Sequence, residues 1–169
     1  MRLGVVLASI LVACGGASGY QPPIPSGSNA AAVRSPGSGA SFQLPTQESG
    51  ISDQRRLVIR DQAAWVGTWR EIVAGRFSPE PPVPDVDFSK EMVLVASMGE
   101  HPRTGYQIRF DGVFVRSDGN LTAAVTEDTT DPSGCAFAAV MTQPVDAVVV
   151  EKALDVTFAE RKQTSPCGQ

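Results

Sequence analysis

The chain of 169 residues has one histidine, His101, three cysteines and only 7% aromatic residues. A lone histidine leaves a catalytic triad a single possible base. No Gly-x-Ser-x-Gly elbow, phosphate-cradling glycine loop or His-Glu-x-x-His helix accompanies it. Cysteines without nearby histidines make a poor zinc site. The pairs Asp85 with Asp87 and Asp128 with Asp131 miss the spacing of a calcium loop. A basic excess is also missing: 14 Lys and Arg stand against 18 Asp and Glu, for a net charge of -4. That balance argues against a nucleic-acid partner, which requires a basic stripe, and against polybasic adhesion to membranes. No apolar run reaches the about 20 residues of a transmembrane helix. The expectation is a protein with no catalytic residues, no metal and no cofactor.

What is present is concentrated first at the start of the chain. Met1-Arg2 is a minimal basic opening, and Leu3 to Ala13 carries no charge before Cys14. The stretch Leu11-Val12-Ala13-Cys14 resembles the bacterial lipoprotein cleavage box, in which the cysteine thiol is acylated and becomes the new N-terminus. Residues 1–13 are therefore expected to be an export signal and Cys14 a lipidation site. The alternative is an ordinary signal peptide cut after Ala17-Ser18-Gly19, with Cys14 discarded. One acyl chain alone anchors marginally, whereas a diacylglyceryl group holds stably. Gly15 is not an inner-membrane retention aspartate, which favours the outer membrane in a Gram-negative cell. The expected location is an exported lipoprotein of the cell envelope, touching the membrane through its lipid only.

From Gly15 to Asp53 the sequence is mostly Gly, Ser, Pro and Ala without apolar period, so little can offset the entropy of ordering it. Residues 14–53 read as a tether spanning roughly 35 Å, and residues 54–169 as the folded domain. With Cys14 lipidated, Cys135 and Cys167 remain, and an exported compartment permits their pairing. Such a disulfide closes a loop of about 30 residues and contributes roughly 3 kcal/mol in the loop-entropy model. Two free thiols are the alternative.

Within the domain, Leu57-Val58-Ile59 predicts a short strand and Asp61 an N-cap. Trp65, Trp69, Ile72 and Val73 fall on one helical face, and Gly75 supplies the stop. Ser78 to Pro84, with four prolines in seven residues, predicts an extended surface loop. Met92 to Met98 is continuously apolar, as in a strand buried on both faces. Tyr106, Ile108 and Phe110 alternate as a strand, and the parity slip at Asp111-Gly112 predicts a β-bulge, after which Val113 and Val115 take over. Asp118-Gly119 predicts a hairpin turn into Leu121, Ala123 and Val125. A further strand is expected from Cys135 to Thr142, and a final hairpin from Val145 to Phe158 turning near Lys152-Ala153. The fold class is α+β: a mainly antiparallel β-sheet of about seven strands with one packed amphipathic helix.

The stretch with most functional character is His101-Pro102-Arg103-Thr104-Gly105-Tyr106. It joins a lone histidine, an arginine and a strand-leading tyrosine in one loop, and loops on rigid scaffolds commonly carry binding residues. Arg and Tyr are also frequent interface hot spots. His101, Arg103, Thr104, Gly105 and Tyr106 are therefore the candidate protein-binding residues. The competing reading is structural, with a glycine needed for positive φ and a tyrosine packed at the sheet end.

A set of features taken in order resembles the C-terminal domain of PrcB-like proteins. They are Ile59-Arg60-Asp61, Trp65 and Trp69-Arg70-Glu71, then Val86-Asp87-Phe88-Ser89, then Gly99-Glu100 through Thr104-Gly105-Tyr106-Gln107-Ile108. Thr126-Glu127 and Thr142-Gln143-Pro144 follow, before Val148-Val149-Val150-Glu151-Lys152. The resemblance covers about residues 57–152. Family members often carry a second glycine where this chain has Gly105 alone. The resemblance implies a non-enzymatic lipoprotein subunit that binds and stabilises a secreted or surface protease complex. A second function is suggested by the Thr-Gly-Tyr loop, which loosely resembles that of immunoglobulin-like inhibitors of cysteine proteases.

Overall fold

A computed structural model describes residues 30–36, 46–75 and 77–167. The expected signal peptide and Cys14 lie outside the described residues. The elements run β1 (Val33–Arg34), β2 (Gln54–Ile59), α1 (Gln62–Val73), β3 (Glu91–Met98), β4 (Tyr106–Val115), β5 (Leu121–Thr130), β6 (Val145–Glu151) and β7 (Val156–Ser165). They form two sheets rather than one. The first is four-stranded, in the order β1-β6-β3-β2, and antiparallel throughout. The second is three-stranded, β4-β5-β7; its β4–β5 pair is antiparallel, but β7 runs parallel to β5. The α+β reading holds broadly, with one mixed sheet.

The helix forms where the periodicity places it. The Asp61 carboxylate accepts a hydrogen bond from Ala64 N–H at 2.9 Å, capping the first turn. Trp65, Trp69, Ile72 and Val73 are all buried against Val93 and Val95 of β3 and Val145, Ala147 and Val149 of β6. Burying each such side chain contributes about 1.5–3 kcal/mol. The proline-rich segment does more than connect: the indole N–H groups of Trp65 and Trp69 donate to the carbonyls of Pro84 and Pro81, at 3.0 and 3.3 Å. It is a strap across the helix.

The opposite face of the first sheet presents Met92, Leu94, Val148 and Val150 to Val113, Leu121 and Ala123 of the second sheet. β3 is thus covered by the helix on one side and by β4-β5-β7 on the other, which is why its sequence shows no polar alternation. The bulge falls between Phe110 and Gly112 as expected. The turn after β4 also follows the sequence, with Gly119 N–H donating to Arg116 O at 3.0 Å. Asp146, in β6, fastens the two sheets: its carboxylate accepts from Phe110 N–H of β4 and from Ala147 N–H, each at 2.8 Å. Burial pushes this carboxyl above its ordinary pKa, against the two hydrogen bonds.

Four expectations need correction. Ordered structure reaches upstream of Gln54, because Ile51 and Ser49 are fully buried and β1 pairs with β6. Isolated residues such as Val33 and Ile51 carry no period, so nothing in a Gly/Ser/Pro/Ala background signals their placement. Cys135 to Thr142 is not a strand: it joins neither sheet, and its backbone bonds the loop from His101 to Thr104 only at Ala138 and Thr142. Val145 to Phe158 is not a hairpin. β6 is taken up by β3 on one side and by β1 on the other, so the chain crosses to the second sheet and β7 joins β5. Val115 does not join the core either: it is 40% exposed, while Val113 is fully buried.

Candidate protein-binding site

The loop from Gly99 to Tyr106 leaves the end of β3 and feeds β4. His101 exchanges backbone hydrogen bonds with Thr142, at 2.8 and 2.9 Å, forming an isolated antiparallel bridge. Thr104 N–H donates to Ala138 O at 3.1 Å, its hydroxyl accepts from Ala138 N–H at 3.2 Å, and the Thr142 hydroxyl donates to Arg103 O at 3.0 Å. Thr130 N–H, at the end of β5, donates to Gly105 O at 2.8 Å. The loop is therefore stitched to residues 138–142 on one side and to β5 on the other.

Its side chains form a stack. The His101 and Tyr106 rings lie almost parallel, with centroids 3.9 Å apart. The Arg103 guanidinium lies 4.8 Å from the Tyr106 centroid and 4.1 Å from that of Phe137, a cation–π arrangement. It also donates to the carbonyls of Thr104 and Thr130, at 3.0 and 3.4 Å. Gly105 has a φ of +95°, and a Cβ there would sit 2.4 Å from Phe137 Cε1. His101 is held below its ordinary pKa, first by burial and then by the Arg103 charge. Burial outweighs Glu127's attraction and a hydrogen bond with the Met98 backbone, and the Arg103 charge is the smallest of the four influences. Its Nε2 is buried without a partner, so the neutral ring serves as a stacking surface.

All five candidate residues come together, but their polar groups are turned mainly onto the protein itself. The cysteines meet as well: Cys135 and Cys167 form a disulfide with a Cα–Cα distance of 5.8 Å. It joins the end of the chain to the segment that carries Phe137.

Two groups of residues at this site were missed by sequence reasoning. Phe137, Ala138 and Thr142 complete the loop from more than thirty positions away; the sequence marks their segment as ordered, through its apolar run and Cys135, but not as a neighbour of this loop. Behind the loop lies a buried charged cluster. Glu127, 7% exposed, accepts from Arg56 at 2.5 Å and Gln54 at 2.7 Å, and pairs with Lys162 at 3.1 Å. Arg56, 12% exposed, also donates to Ser97 O at 2.8 Å. Burial pushes the Glu127 carboxyl up, yet hydrogen bonds from Arg56 and Lys162 bring it below its ordinary value. The loop carboxylates are engaged as well: Asp128 accepts from Gln163 and Ser165, each at 2.6 Å, and Asp131 accepts from Ser133 N–H at 2.8 Å. Among the described residues no cluster of three or more His, Cys, Asp or Glu could hold a metal ion.

Among the described residues, no helix is long and apolar enough to cross a membrane. No curated protein and no solved structure matches the chain. Residues 92–151, from β3 through β6 and including the whole His101–Tyr106 loop, match the family model described as PrcB C-terminal, the family that the sequence resembles.

Proposed function

We propose that this protein is a non-enzymatic binding module of the cell envelope, anchored through lipidated Cys14, which associates with a secreted or surface protease complex and stabilises it. The supporting observation is the PrcB C-terminal match over residues 92–151, since the resemblance implies an accessory role beside a protease. The site is consistent with that role. His101 and Arg103 are spent on ring stacking and backbone carbonyls rather than poised for proton transfer. The inhibitor reading is the weaker alternative, because Thr104 and Gly105 already use backbone groups on Ala138 and Thr130.

The test is a crosslinked pull-down of the full-length protein from its own envelope, with partners identified by mass spectrometry and their proteolytic activity measured with and without the protein. A protease complex whose activity or lifetime rises with the protein supports the reading. Inhibition selects the alternative, and absence of any protease component overturns both. Cys14→Ser should move the protein out of the membrane fraction; a variant that stays in the pellet, with no lipid label on the wild type, removes the anchor.

A further inference from the structure

Residues 136–141 read Ala-Phe-Ala-Ala-Val-Met and carry no polar side chain. Such a run belongs inside a domain, yet Ala136, Ala138 and Ala139 are exposed, and Val140 and Met141 are each 49% exposed. The segment lies antiparallel to the 101–104 loop. It is held inward at Ala138 and Thr142, whose backbone groups bond the loop. Among the described residues, Ala139, Val140 and Met141 have no backbone hydrogen bond. An apolar edge with free donors and acceptors is a template for another strand, and proteins usually guard such edges with Lys, Pro or a bulge. Residues 136–141 contain no Lys or Pro, and the segment is braced at its start by the disulfide and from below by Phe137 under Arg103.

We propose that residues 136–141 form a docking edge for an extended apolar segment of a partner protein, a segment flanked by Lys or Arg. The occupant's chemistry follows from the charges at the ends of the edge. Exposed Glu100, bonded to Gln143 at 3.2 Å, lies at one end, and half-buried Asp131, whose carboxylate accepts from Ser133 N–H, precedes the other by five residues. Arg103 does not offset them on the outside, because its guanidinium is directed onto the Thr104 and Thr130 carbonyls. A second copy of this chain fits poorly: antiparallel self-pairing brings the Asp131 end of one copy beside the Glu100 end of the other, carboxylate against carboxylate. Basic flanks on a partner convert the same ends into attraction and set the register. Backbone pairing supplies affinity, and pockets for alternate side chains supply selectivity, as in other strand-addition complexes.

The proposal rests on the binding-module reading for the existence of a protein partner, but its test involves no protease, so the two can fail separately. Three synthetic peptides serve as probes against the full-length protein: a Val-Thr repeat with lysines at both ends, the same repeat with glutamates, and the lysine peptide N-methylated at alternate residues. The lysine peptide should bind, the glutamate peptide should bind at least tenfold more weakly, and N-methylation should abolish binding. Val140→Asp and Met141→Asp should each remove binding of the lysine peptide without lowering the unfolding midpoint, since both side chains are half exposed. Equal binding of all three peptides, or unchanged binding by both variants, overturns the proposal. Sedimentation showing a dimer that Val140→Asp dissolves would assign the edge to a second copy. A photocrosslinker at Val140 that reacts only within its own chain would assign it to a segment of this protein. Either outcome overturns the proposal.

Discussion

Replacing Gly105 with alanine tests the construction of the loop most directly. At φ +95° the added methyl meets Phe137 Cε1 at 2.4 Å and both Phe137 Cδ1 and Arg103 Nη1 at 2.9 Å. The left-handed backbone alone costs an ordinary residue about 1–2 kcal/mol. Pushing the ring aside adds an overpacking cost of about 1–3 kcal/mol, and separating it from Arg103 forfeits about 0.5–1 kcal/mol of cation–π attraction. The sum is about 2.5–6 kcal/mol, a large share of a small domain's stability. Gly119→Ala is the control, because Gly119 has a φ of +79° and nothing lies within 4 Å of the place its methyl would take; it should lose only the backbone cost. Urea unfolding reads the difference as a shift in midpoint at constant slope. Adding Phe137→Leu should recover part of the loss in Gly105→Ala and none in Gly119→Ala. If Gly105→Ala loses no more than Gly119→Ala, the ring does not press on this glycine and the account of the loop is wrong.

Two further outcomes follow from the charged cluster and the disulfide. Glu127 titrates below its ordinary value of 4.5 in the folded protein, so its contribution is fully present above that pH and is lost as pH falls through the lower folded value. Glu127→Gln should therefore flatten the acid limb of the stability curve as pH falls below the ordinary value of 4.5; an unchanged slope would remove the cluster from acid unfolding. Cys135→Ser with Cys167→Ser opens a link between residues separated by 32 positions. It should cost about 3–4 kcal/mol in the loop-entropy model, measured by denaturant unfolding of the oxidised wild type and the double variant. Equal stability would mean that the unfolded chain gains no freedom from the cut.

The parts of the fold that are legible in the sequence are those in which one local pattern decides the outcome. The Trp65–Val73 stripe, the Asp61 cap, the slip at Gly112 and the uninterrupted apolar run of β3 each encode their own environment. Pairing between distant segments does not. Nothing in Val156–Ser165 states that it runs parallel to β5, and Val33 and Ile51 are single apolar residues in a polar background. Cys135–Thr142 illustrates the opposite error: its composition is that of a buried strand, but it joins neither sheet, and Val140 and Met141 are half exposed while Phe137 packs inward on Arg103. At the candidate site, His101 through Tyr106 can be picked out by residue type. The ring beneath Arg103 cannot, because Phe137 reaches it only through the tertiary fold.

The order in which strands enter the two sheets bears on how such a chain is made. β6 belongs to the first sheet but lies in sequence between β5 and β7 of the second. Neither sheet is therefore a continuous stretch of chain, and neither can be finished before the last strands arrive. A chain emerging N-terminus first presents β3 before β6 exists to pair along its edge, and before β4 and β5 exist to cover the face turned away from the helix. During that interval its most apolar strand stands open to other nascent chains. Release of a stable product must then wait for the C-terminal segment, and a truncation anywhere before β7 would leave a sticky, half-clad remnant in place of a smaller domain.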